Sequence, residues 1–401
     1  MEVRKGYKFK LKISKSKEAI LRRYCGCARL IWNKTLDLNL RRLNKKHKIM
    51  YYQESNFFLQ LWKQSEDYNF LKECPSQVLQ QKLQDLERAF KDGFDKNQPR
   101  KRIPKFKSRG VNENIRFPQG FKLRGNQIFL PKLGWLGFKR SRLIKGKPKN
   151  VTVSYQAGKW YVSIQTEESI DIPRHPSASI VGIDMGIKKF AALSTGEYYE
   201  PKNSFKILSK LLKRAQRSLS RKVKFSINWK KQKLEVQKIH AKIANVRRDH
   251  LHKCSTEISK NHAMIVMEDL KVSNMSKSSK GDIENPGKNV KAKSGLNKSI
   301  LDQGWYEFRR QITYKQLWRG GDVLLVPPKN TSITCPQEDC RHIAKSNRET
   351  QSIFRCEKCG YNANADYVGA LNVLRVGQTR LACGDFGNVC CQAQESPRVV
   401  A

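Results

Sequence analysis

IVGIDMGIKKFAALSTGEYYE, residues 180–200, decides how the fold reads. Ile180 to Ile183 run as a strand that looks buried, Asp184 follows inside it, and a turn at Gly186 leads to a second strand. A carboxylate in such a strand is costly unless its charge is compensated, and a divalent cation would do so. Two further acids sit comparably. AMIVM (263–267) is a buried-type strand ending at Glu268, and Asp366 lies in NADYVGALNVL, where Ala370, Leu371 and Leu374 give a helix its inner face. Three acids at the ends of core elements, far apart in sequence, suit a two-metal phosphodiesterase. One cation activates water and the other, about 3.5–4 Å away, stabilises the leaving oxygen. Singly, each acid reads as simply as a cap or an ion-pair partner. Asp366 could cap its own helix, and Asp269 competes with Glu268 for any role.

Between the second and third acids the cysteines read Cys335-x4-Cys340, a 15-residue gap, and Cys356-x2-Cys359. Two close pairs of this kind complete a tetrahedral Zn–S4 site, closed to water and therefore structural. His342 lies near enough to replace one sulfur, but four thiolates suffice. The other cysteines (Cys25, Cys27, Cys74, Cys254, Cys383, Cys390 and Cys391) form no second set with metal spacing and read as reduced thiols.

The chain carries 80 Lys+Arg against 35 Asp+Glu, a net charge of +45 over 401 residues. Such a protein repels itself unless a polyanion neutralises it, and nucleic acid is the partner whose phosphates gain most by releasing their counterions. No run of about 18 apolar residues is present, which excludes a spanning helix. The opening MEVRKGYKFKLKISKSKE has no apolar core of a secretory signal, so the expected location is the cytoplasm.

Residues 3–13 alternate like an edge strand with basic teeth. From Ser16 the spacing of Ile20, Leu21, Tyr24, Ala28, Ile31 and Trp32 turns helical, and a helix-rich segment runs to about Lys96. KNQPRKRIPKFKSRG (96–110) is a basic connector. In it Lys101, Arg102, Lys105, Lys107 and Arg109, with Phe106 among them, are candidates for RNA-backbone contact, or simply a solvated surface. Residues 115–165 read as β-structure with a hairpin turn at Gln156-Ala157-Gly158-Lys159. With the N-terminal strand they predict a small β-barrel interrupted by a helical insertion. Residues 203–260 form two long basic helices, either a purely structural hairpin or a nucleic-acid track. Residues 276–299 read as a mobile loop, 300–318 as a helix, and the tail after Gly377 as disordered.

Taken together, Ile183-Asp184-Met185-Gly186, Met267-Glu268-Asp269-Leu270, Asn330-Thr331-Ser332 and Asn364-Ala365-Asp366 resemble the RuvC-type RNase H nuclease of the transposon-encoded TnpB (OrfB) family, which is similar to the ancestors of type V CRISPR effectors. The likeness covers nearly the whole chain. Phe9-Lys10-Leu11-Lys12 and Gly26-Cys27-Ala28-Arg29 resemble the family's N-terminal region, and Lys132-Leu133-Gly134 and Lys159-Trp160-Tyr161 its wedge. Leu219-Ser220-Arg221-Lys222 and Asn245-Val246-Arg247 resemble its bridging helices, adding Arg221, Lys222 and Arg247 to the candidate nucleic-acid contacts.

The resemblance implies an α/β plus β-barrel fold: an RNase H-like (RuvC) core with an inserted zinc ribbon, and a wedge β-barrel interrupted by a helical recognition insertion. The implied domains are wedge 1–15 and 100–176, recognition insertion 16–99, nuclease 177–330 and 361–378, zinc ribbon 331–360, and disordered tail 379–401. The implied activity is RNA-guided DNA cleavage beside a short flanking motif. Asp184, Glu268 and Asp366 would bind catalytic Mg²⁺ or Mn²⁺, and Cys335, Cys340, Cys356 and Cys359 would hold structural Zn²⁺. The partners would be a guide RNA from the element's end and double-stranded DNA, bound by a monomer with no membrane involved. The x4 spacing of the first cysteine pair departs from the family's usual x2 but lies within zinc's tolerance. The competing readings are an unguided nuclease or transposase accessory protein, and a guided DNA-binding regulator without cleavage. The presence of all three acids favours an enzyme.

Overall fold

The structure, a computed structural model, describes residues 1–110, 113–171 and 173–383. They form two compact units, one of residues 2–169 and one beginning at Ile170.

The first unit opens with β1 (Glu2–Lys12), in which Val3, Tyr7, Phe9 and Leu11 point inward and Arg4, Lys8, Lys10 and Lys12 outward, as the two-residue period of a half-solvated strand requires. Helices α1 (Lys15–Asn44), α2 (Tyr52–Gln64) and α3 (Ser76–Phe94) follow, with a 3-10 turn at Glu66–Glu73. Ser14 starts α1 by accepting the Lys17 N–H. Then come β2 (Asn114–Phe117), β3 (Lys122–Arg124), β4 (Gln127–Leu130), β5 (Gly134–Lys139), β6 (Lys147–Gln156) and β7 (Lys159–Ser169). The sheet runs β2-β6-β7-β1-β5-β4-β3 and is antiparallel throughout. β1 is therefore its central strand, not an edge: outward lysines record a wet face and say nothing about lateral neighbours. The end strands β2 and β3 do not pair with each other among the described residues, so the expected barrel is a curled half-barrel. Helices α1 and α3 cover it, burying Leu21, Ile31, Leu79 and Leu83 in one core with Phe9, Phe117, Phe138, Val153 and Ile164. The β6–β7 hairpin turns at Ala157 and Gly158, both at positive φ (48° and 82°), as a two-residue hairpin turn requires.

The second unit is a mixed α/β core. Strands β8 (Ile180–Met185), β9 (Ala191–Leu193) and β10 (Tyr198–Tyr199) form an antiparallel meander. After the helical hairpin α4 (Ser204–Ser220) and α5 (Ile227–Asn261) comes β11 (Met264–Glu268), parallel to β8. Helices α6 (Val272–Met275), α7 (Val290–Gln303) and α8 (Trp305–Arg319) lead to β12 (Asp322–Val326), parallel to β11. The hairpin β13 (Ile353–Arg355) and β14 (Asn362–Asn364) and then α9 (Ala365–Ala382) complete the elements among the described residues. The sheet order is β10-β9-β8-β11-β12.

Both faces of this sheet are covered, and the strand period sorts the side chains. Val181, Ile183, Ile265, Met267 and Val323 pack with Leu251 and Ile258 of α5 and Phe308 and Ile312 of α8. The alternate residues Val266, Leu324 and Val326 pack with Val373 and Leu374 of α9. Gly182 lets α9 lie directly on β8, because a Cβ there would sit 2.3 Å from the Ala370 carbonyl oxygen.

Three further expectations change. The loop expected over 276–299 gives way at Val290 to α7, whose end is anchored by buried Ile300 and Asp302. Asp302 Oδ2 accepts the N–H of Phe205 at 2.9 Å and so caps α4, whose own preceding residue, Asn203, sits at φ 45° and supplies no cap. The helix expected at 300–318 is two helices, broken at Gly304 (φ 74°). The tail expected to be disordered after Gly377 stays helical to Ala382, held by Leu381 packing and by Arg380 donating to the Leu325 carbonyl at 3.0 Å. Residues 384–401, with Cys390 and Cys391, lie outside the described residues. Among the described residues no helix is long and apolar enough to cross a membrane.

Candidate active site and metal centre

The period that buries β8 and β11 also aims their acids. Gly182 and Asp184 fall on the α9 side of β8, and Glu268 shares the phase of Val266 on β11. Met267 pairs with Ile183, so one step further in register puts Glu268 beside Asp184. From α9, Asp366 stands three residues before Gly369, hence on the same helix face. A Cβ at Gly369 would lie 2.8 Å from Asp184 Oδ2; the glycine gives the carboxylate its room.

Asp184 feels both of the other acids. Burial, then the charges of Glu268 and Asp366, push Asp184 up to about 7, against the opposing pull of Arg348 and the Met185 N–H. Burial also raises Glu268, opposed by the Thr331 hydroxyl, which donates to Glu268 Oε1 at 2.6 Å. Asn372 of α9 holds the Thr331 loop by donating to the Thr331 and Thr334 carbonyls, each at 2.8 Å. Asp366 does not cap its helix. Asn364 does, accepting the N–H groups of Asp366 (2.9 Å) and Tyr367 (3.3 Å), which leaves the Asp366 carboxylate 3.5 Å from Arg348. Asp269, the rival of Glu268, is instead ion-paired with Arg309 at 2.6 Å. A divalent cation beside Asp184 would relieve the repulsion and burial that hold its pKa up.

The cysteine cluster is already gathered. The sulfurs of Cys335, Cys340, Cys356 and Cys359 lie within 4.8 Å of one another, the one group of three or more such ligands close enough to share an ion among the described residues. The pairs Cys335–Cys359 and Cys340–Cys356 are each 3.6 Å apart, near the roughly 3.8 Å that tetrahedral Zn–S bonds dictate. Burial opposes ionisation of Cys356, yet the N–H groups of Cys359 and Lys358 draw its thiol down to about 6. Backbone bonds shape both knuckles: Cys335 N–H donates to the His342 carbonyl and Cys356 N–H to that of Tyr361, each at 2.9 Å. The imidazole of His342 is not in the cluster. Phe354, Ala365 and Val368 pack on the cysteines, joining the knuckles to the first turn of α9. Cys25, Cys27, Cys74 and Cys254 are buried free thiols, and Cys383 is exposed.

The candidate nucleic-acid contacts divide. Lys101 pairs with Asp92 at 2.7 Å, while Arg102, Lys105 and Arg109 are exposed. Lys107 stands 3.3 Å from the centroid of the Trp32 ring, and burial draws it down to about 8. Its backbone is bracketed by Asn33, which accepts its N–H at 2.8 Å and donates to its carbonyl at 3.0 Å. The connector is thus docked on α1 rather than freely solvated. In the second unit Arg221 and Lys222 line an open groove with Lys210, Lys213, Arg214, Arg217 and Ser218. Arg247 is engaged elsewhere, donating to the Leu301 carbonyl at 3.1 Å beside Asp302. Arg348 and Gly369 were not singled out by sequence reasoning, and Thr331 appeared only within a motif. Each acts through a contact distant in sequence.

Family models match residues 153–279 ("Probable transposase"), 305–373 ("Cas12f1-like, TNB domain") and 1–48 ("Helix-turn-helix domain"). Residues 1–48 fold as β1 and the single long helix α1, so the last description does not match their structure. A protein of Escherichia coli K12 named "Putative RNA-guided DNA endonuclease InsQ" is 54% identical over 382 residues, 95% of this chain and 94% of its own. One of Streptomyces pristinaespiralis, named "Putative RNA-guided DNA endonuclease", is 33% identical over 395 residues, 96% and 92% of the two chains. A solved chain described as "Cryo-EM structure of the Cas12f1-sgRNA-target DNA complex" aligns with a TM-score of 0.34 and 18% identity, over 93% of this chain and 99% of that one.

Proposed function

We propose, since the chain belongs to the TnpB (OrfB) family, that it is an RNA-guided DNA endonuclease encoded by a mobile element, with Asp184, Glu268 and Asp366 as its catalytic acids. What supports this reading is that Glu268 of β11 and Asp366 of α9 lie close enough to Asp184 of β8 for their charges to add to burial in raising its pKa. The sheet order, an antiparallel meander followed by two parallel strands, supports an RNase H-like (RuvC) core. The names of the two long relatives support the guided activity.

On this reading the acids would hold Mg²⁺ or Mn²⁺, which supplies Lewis acidity for attack of water on the phosphodiester and for departure of the alcohol oxygen. The chain's own part is positioning. Thr331 holds Glu268 by a hydrogen bond, Arg348 restrains Asp366, and the bare Cα of Gly369 leaves room for the Asp184 carboxylate. The four cysteines would hold Zn²⁺ as a structural clamp on the segment that delivers Asp366. The nuclease would comprise 177–330 and 361–378 with the ribbon 331–360 between, and the wedge 1–15 and 100–176 would enclose the recognition insertion 16–99. The basic surface, including Arg102, Lys105 and Arg109, would hold guide RNA and target DNA through their backbones.

The test is to express the gene with its own downstream DNA, purify the protein, and sequence the nucleic acid that accompanies it. The expected result is one discrete RNA from the element's end, finishing in variable sequence. Heterogeneous cellular RNA, or none, would overturn the guided reading.

A further inference from the structure

The α4–α5 hairpin carries a feature that the active site does not use. From residue 201 to 234 there are twelve Lys or Arg and no Asp or Glu. Lys210, Lys213, Arg214, Arg217 and Arg221 recur at helical spacing and form one stripe along α4. Like charges at this spacing destabilise a helix unless an external anion neutralises them. Nearby acids of α5 do not serve: Glu235 pairs with Lys238 and Asp249 with Lys253, each at 2.7 Å.

At the end of the stripe the hairpin tip exposes large apolar side chains. Val223 is 79% exposed, Phe225 65% and Ile227 71%. Phe225 sits at φ 71°, a region costly for a bulky residue, with Trp229 5.5 Å away and tilted by 58°. The ring stands in solvent rather than in a core. Lys224 lies 5.3 Å from the ring of Phe225, and Lys233 5.0 Å from that of Trp229.

A solvent-facing aromatic at the end of a cationic track matches how proteins take single-stranded nucleic acid: phosphates follow the groove and an unpaired base stacks on the ring. An anionic lipid surface fits less well. If the tip touched a bilayer, Lys210 would stand about 16 Å farther along the helix, beyond a Debye length of about 8 Å. Only a linear polyanion follows the stripe from end to end, and the interior pairs of a duplex offer no free base face to Phe225.

We propose that the α4–α5 hairpin binds single-stranded nucleic acid, with Phe225 stacking on an unpaired base and the α4 stripe, Lys210 to Arg221, holding the adjoining phosphates. This rests on the reading that the chain binds nucleic acid, but not on its cutting. RNA and DNA share the chemistry, so both are probes. Fluorescence anisotropy of the full chain is measured at physiological salt with labelled oligo-U and oligo-dT of about 20 nucleotides, and with a blunt DNA duplex of similar length. Phe225→Ala is expected to weaken binding of one or both single strands roughly tenfold, within the range of one lost base stack, and to leave duplex affinity within about twofold. Phe225→Trp should restore the lost affinity. The strand that responds identifies the sugar. Equal weakening on all probes, or none on any, would overturn the proposal, as would loss of binding to phosphatidylglycerol vesicles alone. If the unmodified protein bound none of the oligonucleotides, the nucleic-acid reading itself would fail.

Discussion

Asp184→Ala is expected to lower divalent-cation-dependent DNA cleavage by roughly a thousandfold or more, equivalent to about 4 kcal/mol of lost transition-state stabilisation, while guide and target binding persist. Asp184 carries the largest share of the site's electrostatic burden, being half-buried and flanked by both other acids. On the proposed reading its removal would take a ligand from the cation and relieve a repulsion, so binding of polyanions should not suffer. The same residue sets a pH signature. Its folded pKa, about 7, lies above the carboxylate's ordinary 3.8, so the folded chain resists ionisation that the unfolded chain accepts. The resulting penalty is present above about pH 7 and fades as pH falls toward the ordinary range. Without divalent cations, Asp184→Asn should therefore melt at a higher temperature than the unmodified chain at pH 8 and lose that advantage by about pH 4. Unchanged cleavage by Asp184→Ala would remove this residue from the active site.

Cys356→Ser is expected to have the second large effect, loss of the bound zinc and unfolding of the knuckles. The binding free energy of such sites, about 10–16 kcal/mol in small zinc domains, is also folding free energy. Here the consequence should reach the active site. Phe354 and Val368 pack on the cluster, and Asp366 lies in the helical turn that this packing secures. Metal analysis of the purified variant should find little zinc, and its cleavage should fall with it. His342→Ala, by contrast, should keep its zinc, since only the backbone carbonyl of His342 is engaged at the cluster. Full zinc content in Cys356→Ser would argue against a four-thiolate site.

The features legible in the sequence are those in which a residue contradicts its local pattern. An acid inside an apolar strand, or two close cysteine pairs in a basic chain, stands out without any knowledge of what surrounds it. The hairpin at Ala157-Gly158 was legible because a two-residue turn restricts backbone angles, which is a local matter. What stayed hidden depends on distant contacts. Thr331 meets Glu268 across 63 residues, and no spacing rule connects them. Arg348 was one cation among eighty until the fold set it against Asp366. Lys107 read as a candidate RNA-backbone contact or a solvated cation of the connector, and the fold sets it against the Trp32 ring. The alternation of β1 revealed which face is wet but not that strands lie on both sides. Segment 276–299 has the composition of a loop, and α7 forms in its second half because Ile300 and Asp302, just beyond it, are buried.

Guidance is the central claim, and exchange of the guide tests it most directly. The purified complex is rebuilt with an RNA whose terminal variable segment is replaced, and cleavage of a DNA carrying both the old and the new matching sequences, each beside the same flank, is mapped. The account expects the cut to move to the new match and to vanish with Asp184→Ala. A cut that stays in place, or that appears without any RNA, would contradict it.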